Sequence, residues 1–82
     1  MKMRFKRNTA LKFIAKQPPK QKERILSAIE RLPAGDIVPM ENIQGFYRLR
    51  VGDYRIIFTI DYTDDMISIY HAGNRGDVYK NL

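Results

Sequence analysis

Between Phe46 and Ile60 the chain runs F-Y-R-L-R-V, then Gly52-Asp53, then Y-R-I-I-F-T-I. Each run is rich in strand-forming residues, and successive side chains of a strand point to opposite faces. A two-residue connection opening on glycine suits a type II′ hairpin, because glycine takes the positive-φ position without steric cost. That turn sets a register. Val51 stands opposite Tyr54, Arg50 opposite Arg55, Leu49 opposite Ile56 and Arg48 opposite Ile57. Tyr47, Leu49, Val51, Tyr54, Ile56, Phe58 and Ile60 then share one face, the candidate core face. Arg48, Arg50 and Arg55 share the other, with Ile57 and Thr59.

The flanking patterns supply the remaining elements. Met1 to Lys6 alternates apolar and basic residues, which predicts a first strand with one buried face. Asn8 or Thr9 is placed to cap a helix starting near Ala10. Leu11, Ile14 and Ala15 lie on one side of that helix, and Gln17-Pro18-Pro19 ends it. Pro19 suits the first turn of a second helix. Ile25, Leu26, Ile29 and Leu32 form its apolar stripe, and Pro33 stops it. From Pro33 to Gly45 the density of proline, glycine, Asp36 and Asn42 predicts a loop, tacked down by Ile37, Val38, Met40 and Ile43. Tyr62-Thr63-Asp64-Asp65 reads as a second turn, and Met66 to Ala72 as a further strand. If that strand is regular, His71 points inward with Ile67 and Ile69. A glycine-flanked loop, Gly73 to Asp77, and a short tail, Val78 to Leu82, follow. The expected fold is α+β in the order β-α-α-β-β-β, a single domain over residues 1–82. Its four-stranded, mainly antiparallel sheet carries two helices on one face and the arginines on the other.

Composition narrows the function classes. At 82 residues and 44% hydrophobic, the chain suits one small globular core. It has no cysteine and a single histidine, His71, which leaves no disulfide framework and no Cys/His cluster for zinc. Neither a metal nor a cofactor is expected. The basic start, M-K-M-R-F-K-R, has no apolar segment of a signal peptide behind it, and no apolar run approaches membrane-spanning length. A cytoplasmic protein without membrane contact is the expectation. The net charge of +6 points to nucleic acid or an acidic protein as partner.

Arg50 and Arg55 face each other across the hairpin, and like charges directly opposite are destabilising. At about 4 Å the repulsion is about 1 kcal/mol in water and about 4 kcal/mol at an effective dielectric of about 20. Two readings account for the pair: a phosphate held between the guanidiniums, or side chains splayed apart into water. Arg75, in the glycine-flanked loop, and Tyr79, just beyond it, converge on the same face in this arrangement. Guanidinium forks grip phosphates bidentately and aromatic rings stack on bases, so such a face suits bent single-stranded RNA. Cleavage by attack of a 2′-OH on the adjacent phosphate needs alignment, neutralisation of the phosphorane charge and two proton transfers. Arginines supply the first two. Tyr79 and His71 are the candidates for the proton; packing roles for both stay open, as core residue for His71 and as a plug over the core for Tyr79.

Y-R-L-R-V-G-D-Y-R-I-I-F, followed after a further strand by G-N-R-G-D-V-Y-K, closely resembles the RelE branch of the RelE/ParE toxin superfamily. The resemblance extends over nearly the whole chain in length and element order. It implies a toxin that cleaves mRNA in the ribosomal A site and is held inactive by a cognate acidic antitoxin. It also implies site roles for the basic pair Arg48 and Arg50, the third-strand Arg55, the late Arg75 and the C-terminal Tyr79. Some members carry lysines where this chain has Arg48 and Arg50, and arginine stays protonated. The histidine often found just before the late arginine is Asn74 here. The alternatives are a ParE-like toxin that inhibits DNA gyrase and cuts nothing, and a non-catalytic module that binds RNA or an antitoxin.

Overall fold

The computed structural model describes residues 1–74. Its elements are β1 (Lys2–Phe5), α1 (Asn8–Ala15), α2 (Pro19–Glu30), β2 (Ile37–Pro39), β3 (Phe46–Val51), β4 (Tyr54–Asp61) and β5 (Met66–Asn74). The five strands form one sheet in the order β1-β5-β4-β3-β2. Pairing is parallel between β1 and β5 and antiparallel elsewhere. The four expected strands are therefore joined by a fifth, and the sheet is mixed.

The extra strand lies inside the expected loop. Ile37, Val38 and Pro39 pair with Leu49, Arg48 and Tyr47. Its flanks are tied as well: the Arg50 amide donates to the Asp36 carbonyl at 2.9 Å, and the Met40 amide to the Phe46 carbonyl at 2.9 Å. A three-residue edge strand ending in proline is consistent with sheet rules, since its outer side needs no donor. Surrounding turn residues hide so short a run from pattern reading.

The β3–β4 hairpin has the expected register, including Arg50 opposite Arg55. Gly52 has φ +60°, and Asp53 is not in the positive-φ region, as a type II′ turn requires. At the second turn Asp61 Oδ1 accepts the Thr63 and Asp64 amides, and Asp65 adopts φ +55°.

Both helices pack on the predicted core face. Ala10 and Ile14 of α1 join Ile25, Ala28 and Ile29 of α2, with Leu32 just beyond, over Leu49, Val51, Ile56, Phe58, Ile67 and Ile69. The α2 stripe is shifted from its expected composition. Ala28 faces inward, whereas Leu26 is 37% exposed. Positions 25, 28, 29 and 32 fit helical spacing better than 25, 26, 29 and 32. Pro19 takes the first turn of α2 as expected, and the helix stops ahead of Pro33. Helix α1 starts two residues early. Arg7 is its N-cap and makes no side-chain capping bond, so neither Asn8 nor Thr9 has that role. At its other end the Gln17 side-chain amide donates to the Phe13 carbonyl (2.9 Å), and the Tyr54 hydroxyl donates to Gln17 Oε1 (3.0 Å). Tyr54 is thus a core aromatic with its polar end satisfied.

One irregularity changes the opposite face. Ile57 pairs with His71 but Phe58 pairs with Ile69, so Tyr70 is an extra residue in β5. Beyond this bulge the alternation inverts. Ala72, paired with Ile56, takes the inward place, and His71 is carried to the face of Arg48 and Ile57. The inward position expected for His71 assumed a regular strand and is corrected by the bulge. No helix among the described residues is long and apolar enough to cross a membrane.

Candidate nucleic-acid interface

The sheet face away from the helices carries a transverse row, Arg48, Ile57 and His71, in register on β3, β4 and β5. Ile57 at its centre is fully buried. A second row runs Phe46, Thr59 and Ser68. Arg4 of β1 extends it, donating from Nε to Ser68 Oγ at 2.9 Å. The bulged Tyr70 packs edge-on against Phe46, with ring centroids 4.8 Å apart. The face is therefore amphipathic, with an aromatic pair and a buried isoleucine among cations.

The predicted site residues occupy three settings. Arg48 is half-buried and lines a cleft of about 390 Å³ with the segment Val38 to Asn42. Arg50 is exposed, and its Nε lies 2.8 Å from Asp36 Oδ2. Arg55 curls back over the hairpin. Its Nη1 donates to the Gly52 carbonyl at 3.0 Å and to the Tyr54 carbonyl at 3.1 Å. The like-charge pair is accordingly relieved within the chain: one guanidinium turns to a carboxylate, the other to two carbonyls. This is the splayed arrangement, with protein acceptors for both guanidiniums. Arg75 and Tyr79 lie outside the described residues.

His71 is the residue whose placement pattern reading missed. Its Nδ1 is buried and has no hydrogen-bond partner. Burial, and secondarily the positive charge of Arg7 at the start of α1, hold its pKa below the ordinary 6.5. At neutral pH the ring is therefore an uncharged imidazole, able to accept a proton, on the same face as Arg48. Nothing in the sequence of β5 marks a bulge at Tyr70. The available hint is that Ala72 suits a buried helix-facing position better than His71 does.

Two helices on one face of a small mixed sheet, with a basic face opposite, define the RelE-type toxin fold. The RelBE2 toxin–antitoxin complex of Mycobacterium tuberculosis is similar at 25% identity and a TM-score of 0.74, covering 93% of this chain and 92% of that one. The archaeal RelE–RelB complex of Pyrococcus horikoshii is similar at 25% identity and a TM-score of 0.72, covering 92% and 94%. The isolated RelE toxin of E. coli, at 16% identity and a TM-score of 0.67 over 98% of this chain and 92% of that one, shares the fold. Among curated proteins none matches the chain. The model of the ParE toxin of type II toxin–antitoxin systems matches residues 4–79. The chain belongs to that toxin family, within the RelE/ParE superfamily.

Proposed function

We propose that this toxin is a ribosome-dependent endoribonuclease that cuts mRNA in the A site, acting in the cytoplasm. The supporting observation is that Arg48 and His71, whose pKa is lowered, stand in one transverse row on either side of Ile57. Anchoring cations and a proton acceptor on one face are what cleavage of RNA by its own 2′-OH requires. In that step the 2′ oxygen attacks the adjacent phosphorus and the bond to the 5′ oxygen breaks. A 2′,3′-cyclic phosphate and a 5′-hydroxyl result. Arg48, Arg50, Arg55 and Arg75 hold the phosphates and offset the charge that builds on the phosphorane. One group takes the 2′-OH proton and another returns a proton to the leaving oxygen. His71 suits the first role and Tyr79 the second. The step needs no metal ion to supply positive charge, because the guanidiniums do so.

The natural partner in this reading is a cognate acidic antitoxin. The similar solved complexes pair RelE with RelB, and the +6 charge of this chain favours an acidic cover. A second reading, inhibition of DNA gyrase, is favoured by the family description itself, which is that of the ParE toxin. Primer extension on translated mRNA after expression separates the two. Cuts within codons support cleavage; intact mRNA with relaxed or broken DNA supports gyrase inhibition. Single-turnover cleavage then tests the proton donor. Tyr79→Phe should slow it about 10²–10⁴-fold with RNA binding intact, and wild-type rates would remove Tyr79 from that role.

A further inference from the structure

The arginines of the sheet face are not the only ones gathered at the hairpin. Arg24 and Arg31 of the α2 segment are seven residues apart, so they share one side of the helix about 10.5 Å apart along its axis. Both line a cleft of about 280 Å³ between the helix and β3, with Gly35, Asp36 and Arg50. The Asp36 carboxylate is already engaged by Arg50. Among the described residues no hydrogen bond or ion pair engages the side chain of Arg24 or of Arg31. Arg24 lies flat over the hairpin turn: a Cβ at Gly52 would stand 3.1–3.3 Å from its guanidinium atoms. Asp53 lines the neighbouring cleft together with Arg24, Gln21 and Asn74.

Gly52 therefore has a guanidinium on each side. Arg55 donates to its carbonyl from one direction, and Arg24 covers its α-carbon from the other. The basic surface does not stop at the sheet edge. It continues around the turn into the α2 cleft.

We propose that the cleft between α2 and the hairpin is a second phosphate site, taking the backbone of an RNA single strand that crosses the Arg48–Arg55 face and bends over Gly52. This rests on the reading of that face as an RNA site. The turn is a sharp edge, which a flexible single strand can follow and a rigid duplex cannot. Two guanidinium forks on one side of the helix can each meet a phosphate bidentately. The continuity of this cleft with the arginine face around Gly52 favours the same RNA strand over an acidic peptide as its occupant.

The test uses the full chain and uncleavable 2′-O-methyl oligoribonucleotides of two lengths, a pentamer and a fifteen-mer. Affinities are measured across a salt series for the wild type, Arg24→Gln/Arg31→Gln, Arg24→Lys and Arg55→Gln. The double variant should flatten the fifteen-mer slope of log K against log salt by about 0.7 for each phosphate that is no longer neutralised. Its pentamer binding should be unchanged, and Arg24→Lys should keep the slope. Arg55→Gln should weaken both lengths. An unchanged fifteen-mer slope in the double variant overturns the second site, and a lowered Tm with that slope intact marks Arg24 as a clamp on the turn. Equal losses for both lengths also overturn it, by merging the cleft with the sheet face. Failure of both RNAs to bind the wild type, with polyglutamate bound through Arg24 and Arg31, overturns the cleft assignment and the reading of the face together. Pentamer binding that needs Arg55 but not Arg24 leaves that face reading standing even where the cleft fails.

Discussion

His71 owes its position to a single inserted residue, and its chemistry to what surrounds the ring. Burial and Arg7 both disfavour the imidazolium. The folded-state pKa thus lies below 6.5, and the unfolded chain takes up the proton first. Stability from this residue is complete above about pH 6.5 and is lost as the pH falls through the folded value. His71→Gln should remove that part of the acid-side decline in thermal melts. In single-turnover cleavage the same variant should cost about 10²–10⁴-fold. The wild-type acid limb should lie below the ordinary imidazole value and vanish in His71→Gln; an identical limb in the variant would exclude His71 as the base. Asp36 offers a second test at this scale. Its ion pair with Arg50 is half-exposed on both sides, 50% and 51%, so it contributes only about 0–1 kcal/mol to folding. Asp36→Asn should leave the melting temperature nearly unchanged. It should also tighten single-stranded RNA binding and steepen the salt slope, as Arg50 turns toward phosphate. Weaker binding would mean that Arg50 works in the position Asp36 gives it.

Among the elements, the β3–β4 hairpin is the part most legible in the sequence. Gly52 set the turn type, the turn set the register, and the register set both faces. What stayed hidden shares a physical cause: it depends on contacts between distant segments. Three residues of β2 become a strand only because β3 offers them an edge. Tyr70 is extruded only because β5 must satisfy β4 on both sides of the bulge, with Phe46 there to receive its ring. The Arg50–Asp36 pair likewise needed the strand next door. For the site, Arg48, Arg50 and Arg55 were legible as one face, while the shared face of His71 and the crossing of Arg24 over the turn were not. Gly52→Ala tests the hairpin. A left-handed conformation costs an L-residue about 1–2 kcal/mol, and the new methyl group would meet the Arg24 guanidinium as well. The denaturant midpoint should fall accordingly with m unchanged. An unaltered midpoint would mean that the turn has relaxed to another type.

At the scale of the whole molecule, charge and shape act together. The helices close one face of the sheet, and Arg4, Arg48, Arg50 and Arg55 belong to the other, with Arg24 beside the hairpin turn. An acidic antitoxin approaching this surface should be steered by it, so its association rate should fall as ionic strength rises, with much less change in dissociation. Stopped-flow association at several salt concentrations checks this. Neutralising Arg48 and Arg55 should flatten the dependence. A rate indifferent to salt would place the antitoxin interface away from the basic face.

The parallel pairing of β1 with β5 has a consequence for how the molecule comes into being. Lys2 is in register with Met66 and Phe5 with Ile69, so the first strand made has no partner until the last of the described strands has been made. Helices and hairpin can form from local contacts during synthesis, whereas closing this sheet requires joining segments far apart in sequence, the slow kind of step. A nascent chain lacking β5 would present its α1 underside and β1 unfinished. It would also lack His71, one of the residues on which the proposed chemistry depends. Assembly order would then act as a safeguard: a cell making this toxin would meet an inert chain first, and would have the interval before sheet closure in which to capture it.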